Sequence, residues 1–178
     1  MPSFSRNMRR AHSHLRARAI GAGLALALAS GAALADGAHR FVFTAYTDAA
    51  GGEEVLAGHY RAALLELKGH PDIMELDPSA TNTNRCVAYS MTLQWQQARA
   101  ACDTAVREAT QTSDSEYVAL AYANRAVMRW MSNDEAAAGE DLAKARELAP
   151  QADFVAQNLA ALQMHVTIAR AETQAPKS

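Results

Sequence analysis

The chain has 178 residues, of which 17 are Lys or Arg and 19 are Asp or Glu, so its formal net charge is −2 at pH 7. Five of the basic residues and none of the acidic ones precede Asp36, so the rest of the chain is acidic, which argues against nucleic acid as a partner. The roughly 143 residues from Asp36 onward are enough for one domain with one core, and too few for two.

The first 35 residues have the three-part organisation of a secretory signal peptide. Met1 to Arg18 is basic, Ala19 to Ala29 is apolar, and Ala33 and Ala35 place small residues at both key cleavage positions. The apolar stretch is shorter than the roughly twenty residues of a membrane span. We therefore expect export by the general secretory route to the periplasm, with cleavage after Ala35. An uncleaved membrane anchor is the alternative.

Residues 36–47 are predicted to form an N-terminal arm. The segment from His39 to Thr44 is β-prone but short and isolated, so it is either extended or loosely ordered. A helical segment follows from Glu53 to Lys68, interrupted at Gly58 and ended by glycine and proline. The segment from Asp72 to Asn82 is predicted to be a connection, because it combines Pro78 with several Ser, Thr and Asn residues.

Strong helical periodicity begins at Asn84 and predicts five further helices. They cover residues 84–92, 95–110, 116–131, 135–148 and 152–173, and residues 174–178 form a frayed tail. The helices also repeat: Asn84-Arg85 matches Asn124-Arg125, and Asn158 follows Asn124 after 34 residues. In the second helices, a constant offset of 40 residues aligns Ala98, Cys102 and Ala105 with Ala138, Leu142 and Ala145.

These repeats resemble the tetratricopeptide repeat family. The closest copy, Ala119 to Pro150, has Tyr122 at the aromatic position and Ala126 at the small position of the first helix, whereas the preceding copy has Leu93-Gln94 where the turn normally carries Gly-Asp. The resemblance implies an all-α fold over residues 48–173: a short solenoid of helical hairpins with about two to three repeats and a capping helix. The residues expected to pack neighbouring repeats are Ala98, Ala105, Ala126, Ala138, Leu142, Ala145, Pro150 and Ala160. An unrelated alanine-rich bundle is the alternative.

The only two cysteines of the chain lie at positions that touch in a repeat of this kind. An exported protein with two cysteines favours pairing, so we predict a disulfide between Cys86 and Cys102. The closed loop of about 16 residues would contribute roughly 3 kcal/mol. Two buried thiols are the alternative. A redox-active pair is a more remote one, because no Cys-x-x-Cys spacing and no basic cluster accompany them.

The resemblance also implies a concave groove lined by the first helix of each pair. The matching residues are Val87, Met91, Val127, Trp130, Met131, Met164 and His165. Methionines and a tryptophan on such a surface suit an apolar or amphipathic segment of a protein or peptide. The other interpretation is that Trp130 and Met131 are simply covered by the final helix and the N-terminal arm.

Catalytic and metal-binding motifs are absent from the sequence. None of the histidines after residue 35 (His39, His59, His70 and His165) has the helical spacing from another His or Cys that metal sites require. No phosphate-binding loop or nucleophile motif is present either. We therefore predict a non-enzymatic scaffold that binds a protein or peptide, with no cofactor, metal or small-molecule substrate. A self-associating or membrane-tethered accessory protein is the alternative, and a two-cysteine redox protein a remote one.

Overall fold

The computed structural model describes residues 40–69 and 78–174, and the predicted signal peptide, residues 1–35, lies outside this part of the chain. The described residues form helices and no strands, which confirms the all-α prediction. The helices are α1 (Gly52–Leu56), α2 (Tyr60–Gly69), α3 (Pro78–Met91), α4 (Trp95–Ala109), α5 (Ser115–Met131), α6 (Glu135–Leu148) and α7 (Asp153–Gln174). None of them is long and apolar enough to cross a membrane.

Glycine and proline set two helix boundaries in the first half of the domain. The break between α1 and α2 lies at Gly58, whose φ of 78° suits a residue without a Cβ. Helix α3 begins at Pro78, so the predicted connection over 72–82 is wrong for residues 78–82. Proline is favoured at the first helical position because its missing N–H is not needed there. The four residues from Ser79 to Asn82 are buried, so packing overrides their loop-like composition.

The turns that join α3 to α4 and α5 to α6 have the same geometry. Leu93 and Asn133, which are 40 residues apart, both have a positive φ, 59° and 65°. The N–H of Gln94 donates to the carbonyl of Tyr89 over 2.9 Å, and the N–H of Asp134 donates to that of Arg129 over 2.8 Å. These bonds close the C-terminal turns of α3 and α5 in the same way. The two helical hairpins therefore repeat in structure as they do in sequence.

Small side chains allow the helices to approach each other closely. Fully or almost fully buried are Ala98, Ala105, Ala126, Ala138, Leu142 and Ala145. Ala160 is only partly buried because no described helix follows α7 to cover it, and Pro150 is exposed in the turn before α7. The hairpins are therefore packed through alanine contacts, with Leu142 filling the space between α5, α6 and α7.

The predicted disulfide is present between Cys86 on α3 and Cys102 on α4, with their Cα atoms 4.7 Å apart. Both cysteines are buried in a cluster with Ala98 and Met128. The disulfide therefore links the two helices of the hairpin whose turn carries Leu93, a residue that tolerates a positive φ less well than the Asn133 of the other turn.

An ion-pair network connects α4, α5 and α6. The buried carboxylate of Asp141 accepts hydrogen bonds from Nε and Nη2 of Arg125 over 2.9 and 2.8 Å, and Arg129 lies 2.9 Å away. A third ion pair joins Arg125 to Asp103 over 3.0 Å. Burial alone would lower the pKa of Arg125, but its hydrogen bonds and charge interactions with Asp141 and Asp103 together outweigh burial and raise the pKa. This network fixes the orientation of α5, on which part of the site described below is built.

Replacing both cysteines (Cys86→Ala with Cys102→Ala) should lower the free energy of unfolding by about 3 kcal/mol, because the 16-residue loop is then unconstrained in the unfolded chain. Urea unfolding with and without dithiothreitol measures the effect. Reductant should lower the midpoint of the wild type and leave the variant unchanged. Equal midpoints for the oxidised and reduced wild type would show that the disulfide does not stabilise the domain.

Leu93→Asn should raise the free energy of unfolding by about 1 kcal/mol, because asparagine tolerates the left-handed conformation better than leucine does. Little packing is lost, since Leu93 is 63% exposed. The reverse change at the equivalent position, Asn133→Leu, should lower stability by a similar amount. Urea unfolding of the two single variants tests this, and shifts in the same direction would contradict the shared turn geometry.

Candidate functional site

The N-terminal arm crosses three helices of the domain. Residues 40–46 have no regular secondary structure, and every second residue bonds to a different helix. Val42 bonds to α7, Thr44 to α5 and Tyr46 to α3. Contacts at every second residue are the pattern of an extended chain. We call the surface of α3, α5 and α7 that contacts residues 41–46 the arm site.

Three asparagines make the same pair of hydrogen bonds to the arm. Asn158 accepts from the N–H of Val42 over 2.7 Å and donates to its carbonyl over 3.0 Å. Asn124 makes the same pair with Thr44 over 2.9 and 2.6 Å. Asn84 makes it with Tyr46 over 2.9 and 2.9 Å. Each side-chain amide therefore binds both backbone groups of one residue, and we call the three amides the asparagine ladder.

The ladder residues are buried and need the arm as a hydrogen-bonding partner. Asn84 and Asn158 are 0% exposed, and Asn124 is 2% exposed. A buried amide without partners costs free energy comparable to its lost hydrogen bonds. Among described residues, Asn124 and Asn158 have no side-chain hydrogen bonds other than those to the arm. The arm is therefore part of the folded structure and satisfies the polar groups at its centre.

The side chains of the arm occupy apolar surfaces beside the ladder. The ring of Phe41 stacks on His165, with centroids 5.6 Å apart and planes at 2°, and lies 5.2 Å from the ring of Trp130. Phe43 packs against two clusters, one that contains Val87 and another that contains Met128. Within the part of the chain that the structure describes, the N–H of Phe43 has no hydrogen-bond acceptor. The backbone bonds to the ladder therefore use every second residue, whereas Phe41, Val42 and Phe43 all pack their side chains against core clusters.

The inner end of the arm is held by a close backbone approach. Gly52 packs so tightly on Tyr46 that a Cβ at this position would overlap the carbonyl of Tyr46. The side-chain amide of Asn84, which binds Tyr46, also donates a hydrogen bond to the carbonyl of Ala50 over 3.0 Å. The tyrosine ring lies 4.9 Å from the ring of Tyr117 on α5. This end of the arm is therefore fixed to α1, α3 and α5 together.

Four of the seven predicted groove residues, Val87, Met91, Trp130 and His165, share a cluster or a ring contact with the arm. Val87 and Val127 are buried, and Met91 packs with Val87 in the cluster that Phe43 contacts. Trp130 and His165 form the aromatic slot of Phe41, so the arm covers Trp130, as the second interpretation of the sequence proposed. Met131 and Met164 are partly buried.

Sequence reasoning missed the ladder itself. Asn84, Asn124 and Asn158 served only as markers of the repeat, because a polar side chain on a helix usually faces solvent. The usable signal was that the same amide recurs at equivalent positions while the surrounding residues are small or apolar. Nothing in the sequence of one helix shows that its asparagine meets a strand.

No family model, curated protein or solved structure matches this chain. Among the described residues, no group of three or more His, Cys, Asp or Glu side chains could hold a metal ion. Function is therefore inferred from the arm site, whose chemistry is the binding of an extended backbone.

Gly52→Ala should lower the free energy of unfolding by about 1–3 kcal/mol, because the new methyl group forces the arm away from α1. The matched control is Gly139→Ala on α6, where a Cβ would meet only Leu162 at 4.0 Å. This control should gain about 0.5–1 kcal/mol from helix propensity. Urea unfolding measures both, and equal stabilities of the two variants would contradict the close approach.

Proposed function

We propose that this chain is an exported, non-enzymatic scaffold that binds an extended segment of a polypeptide at the arm site. The observation that carries the proposal is the ladder, because it already holds such a segment by both backbone groups of alternate residues. Proteins that bind peptides as added strands obtain affinity from backbone hydrogen bonds and specificity from pockets for side chains. The arm site has both elements, and its resident occupant is the N-terminal arm of the same chain.

The proposal includes a short solenoid of the tetratricopeptide type. The equivalent turns at Leu93 and Asn133 support it, as do the buried alanines at equivalent positions of α4 and α6. Equivalent asparagines on α3, α5 and α7 support it further, since stacked repeats place matching side chains in a row. In this arrangement the first helices of successive pairs form the concave face, and the ladder lies along it.

Export to the periplasm is part of the same proposal. The basic and apolar composition of residues 1–35 supports it. The disulfide between Cys86 and Cys102 supports it independently, because disulfides form and persist in oxidising compartments.

The proposal predicts that the arm site binds a peptide in trans once the arm is released. Val42→Pro with Thr44→Pro removes two N–H groups that the ladder accepts, and so should undock the arm. This variant should bind a fluorescent peptide of residues 39–47 at least tenfold more tightly than the wild type does, as measured by fluorescence anisotropy. Circular dichroism verifies that the helices are intact.

Two further substitutions in the released-arm variant serve as the test and its control. Adding Asn124→Ala should abolish peptide binding, because both backbone bonds at the Thr44 position of the peptide are lost. Adding Gln97→Ala, at an exposed position of α4, should leave it unchanged. A released-arm variant with intact helices that binds no peptide would reject the arm site as a binding surface.

A further inference from the structure

We propose that the partner of the arm site is a segment of another polypeptide that contains two aromatic residues with one residue between them. Each aromatic residue is followed by a residue that has a backbone N–H, and therefore not by proline. The arm is displaced from its α7 end to admit this segment. The inference rests on the proposed function and specifies its ligand: an aromatic residue, an apolar residue other than proline, a second aromatic residue, and any residue but proline.

The ladder binds backbone groups and not side chains. Asn158 and Asn124 contact Val42 and Thr44 through their N–H and carbonyl groups. The acceptor oxygen of each amide takes a backbone N–H, which proline lacks. Any other residue presents the same two groups in an extended chain. The ladder therefore excludes proline at these two positions. The side chain of Val42 also packs against the core cluster around Leu142, which favours an apolar residue at the first of them.

Specificity comes from the residue before each of these two. Phe41 fills a slot between the rings of Trp130 and His165, and these two rings are themselves 5.2 Å apart. Phe43 bridges the apolar clusters around Val87 and Met128. An aromatic side chain buries a large area in either slot, and in the slot of Phe41 it also gains ring contacts that an aliphatic one does not. The two slots therefore select aromatic side chains in a fixed register with the ladder.

The two ends of the arm differ in how firmly they are held. Tyr46 is fixed by Asn84, by the approach of Gly52 and by the ring of Tyr117. The chain also continues from Tyr46 into α1, which keeps the inner end near its site. At the opposite end, Arg40 is exposed, and the contacts are those of Phe41 with two rings and of Val42 with Asn158 and the core cluster. Release therefore begins at α7, and it uncovers Asn158, then Asn124, while the inner end remains in place.

The tether of the arm decides between a second copy of the chain and a different polypeptide. A short tether keeps the arm at an effective concentration of about millimolar beside its own site. The identical arm of a second copy, present at micromolar concentration, is therefore at a disadvantage of about a thousandfold. A partner must fit the two slots better than Phe41 and Phe43 do, so the occupant is a segment of different sequence.

The test uses the full chain with Val42→Pro and Thr44→Pro, and synthetic peptides of residues 39–47 as probes. N-methylation of the peptide at the Val42 or Thr44 position should weaken binding at least tenfold, because each removes one ladder hydrogen bond. N-methylation at the Phe43 position is the matched control, and should change binding less than threefold, since that N–H has no acceptor among the described residues. Replacing the first aromatic by leucine should weaken binding about tenfold.

Competition in the chain without proline substitutions tests the displacement. Phe41→Ala in that chain loosens the outer end, and should increase its affinity for the unmodified peptide at least tenfold. Should the proline variant fail to fold, a protease site inserted between Thr47 and Asp48 and cut after folding leaves the arm bound without a tether. The same methylated series then competes against that arm.

Each outcome bears on the inference. Equal binding of the three methylated peptides would overturn the register while leaving the proposed function intact. If no peptide binds at all, both the register and the proposed function are contradicted. Dimers of the wild type at micromolar concentration in analytical ultracentrifugation, dissociated by the arm peptide, would show that a second copy is the occupant and would overturn the choice of a different polypeptide.

Discussion

The domain depends on one constraint: an amide side chain buried among apolar groups must be hydrogen-bonded. Three such amides, on Asn84, Asn124 and Asn158, have almost no exposure to solvent. Their positions repeat along the chain, so they form a row across three helices, and an extended backbone offers paired donors and acceptors at every second residue. The arm therefore completes the hydrogen bonding of the domain, and the domain in turn gives a short, β-prone segment a single conformation.

The remaining structure keeps that row in place. The disulfide fixes α3 against α4, and the Arg125–Asp141 pair fixes α5 against α6, so the helices that carry Asn84 and Asn124 are each attached to a partner. The buried alanines set the distance between neighbouring helices. If the arm undocks as proposed while the helices stay folded, the destabilisation caused by changing one ladder residue cannot exceed the free energy of docking the arm. Changes at two ladder residues should consequently be less than additive.

Much of the fold follows from local rules that a sequence shows. The boundaries of α4 to α7 agree with the helical periodicity to within one residue at each end, and the pairing of the two cysteines followed from the resemblance to a repeat. The start of α3 could not be predicted in this way, because the polar residues after Pro78 are helical only through their burial. The role of the ladder was equally hidden, since Asn158 and Val42 are 116 residues apart and neither carries a local signal of the other. A contact between a side-chain amide and a distant backbone leaves no signal in the arm, and on the helices its only trace is the recurrence of asparagine at equivalent positions.

The central claim, that the ladder binds alternate residues of the arm, is tested most directly by amide hydrogen exchange followed by NMR. The account predicts an alternating pattern, with the N–H groups of Val42, Thr44 and Tyr46 protected and those of Phe43 and Ala45 exchanging much faster. Uniformly fast exchange from residue 41 to residue 46 would mean that the arm is not docked. Protection of Phe43 and Ala45 in place of their neighbours would mean that the ladder reads the opposite register, and either result would contradict the account.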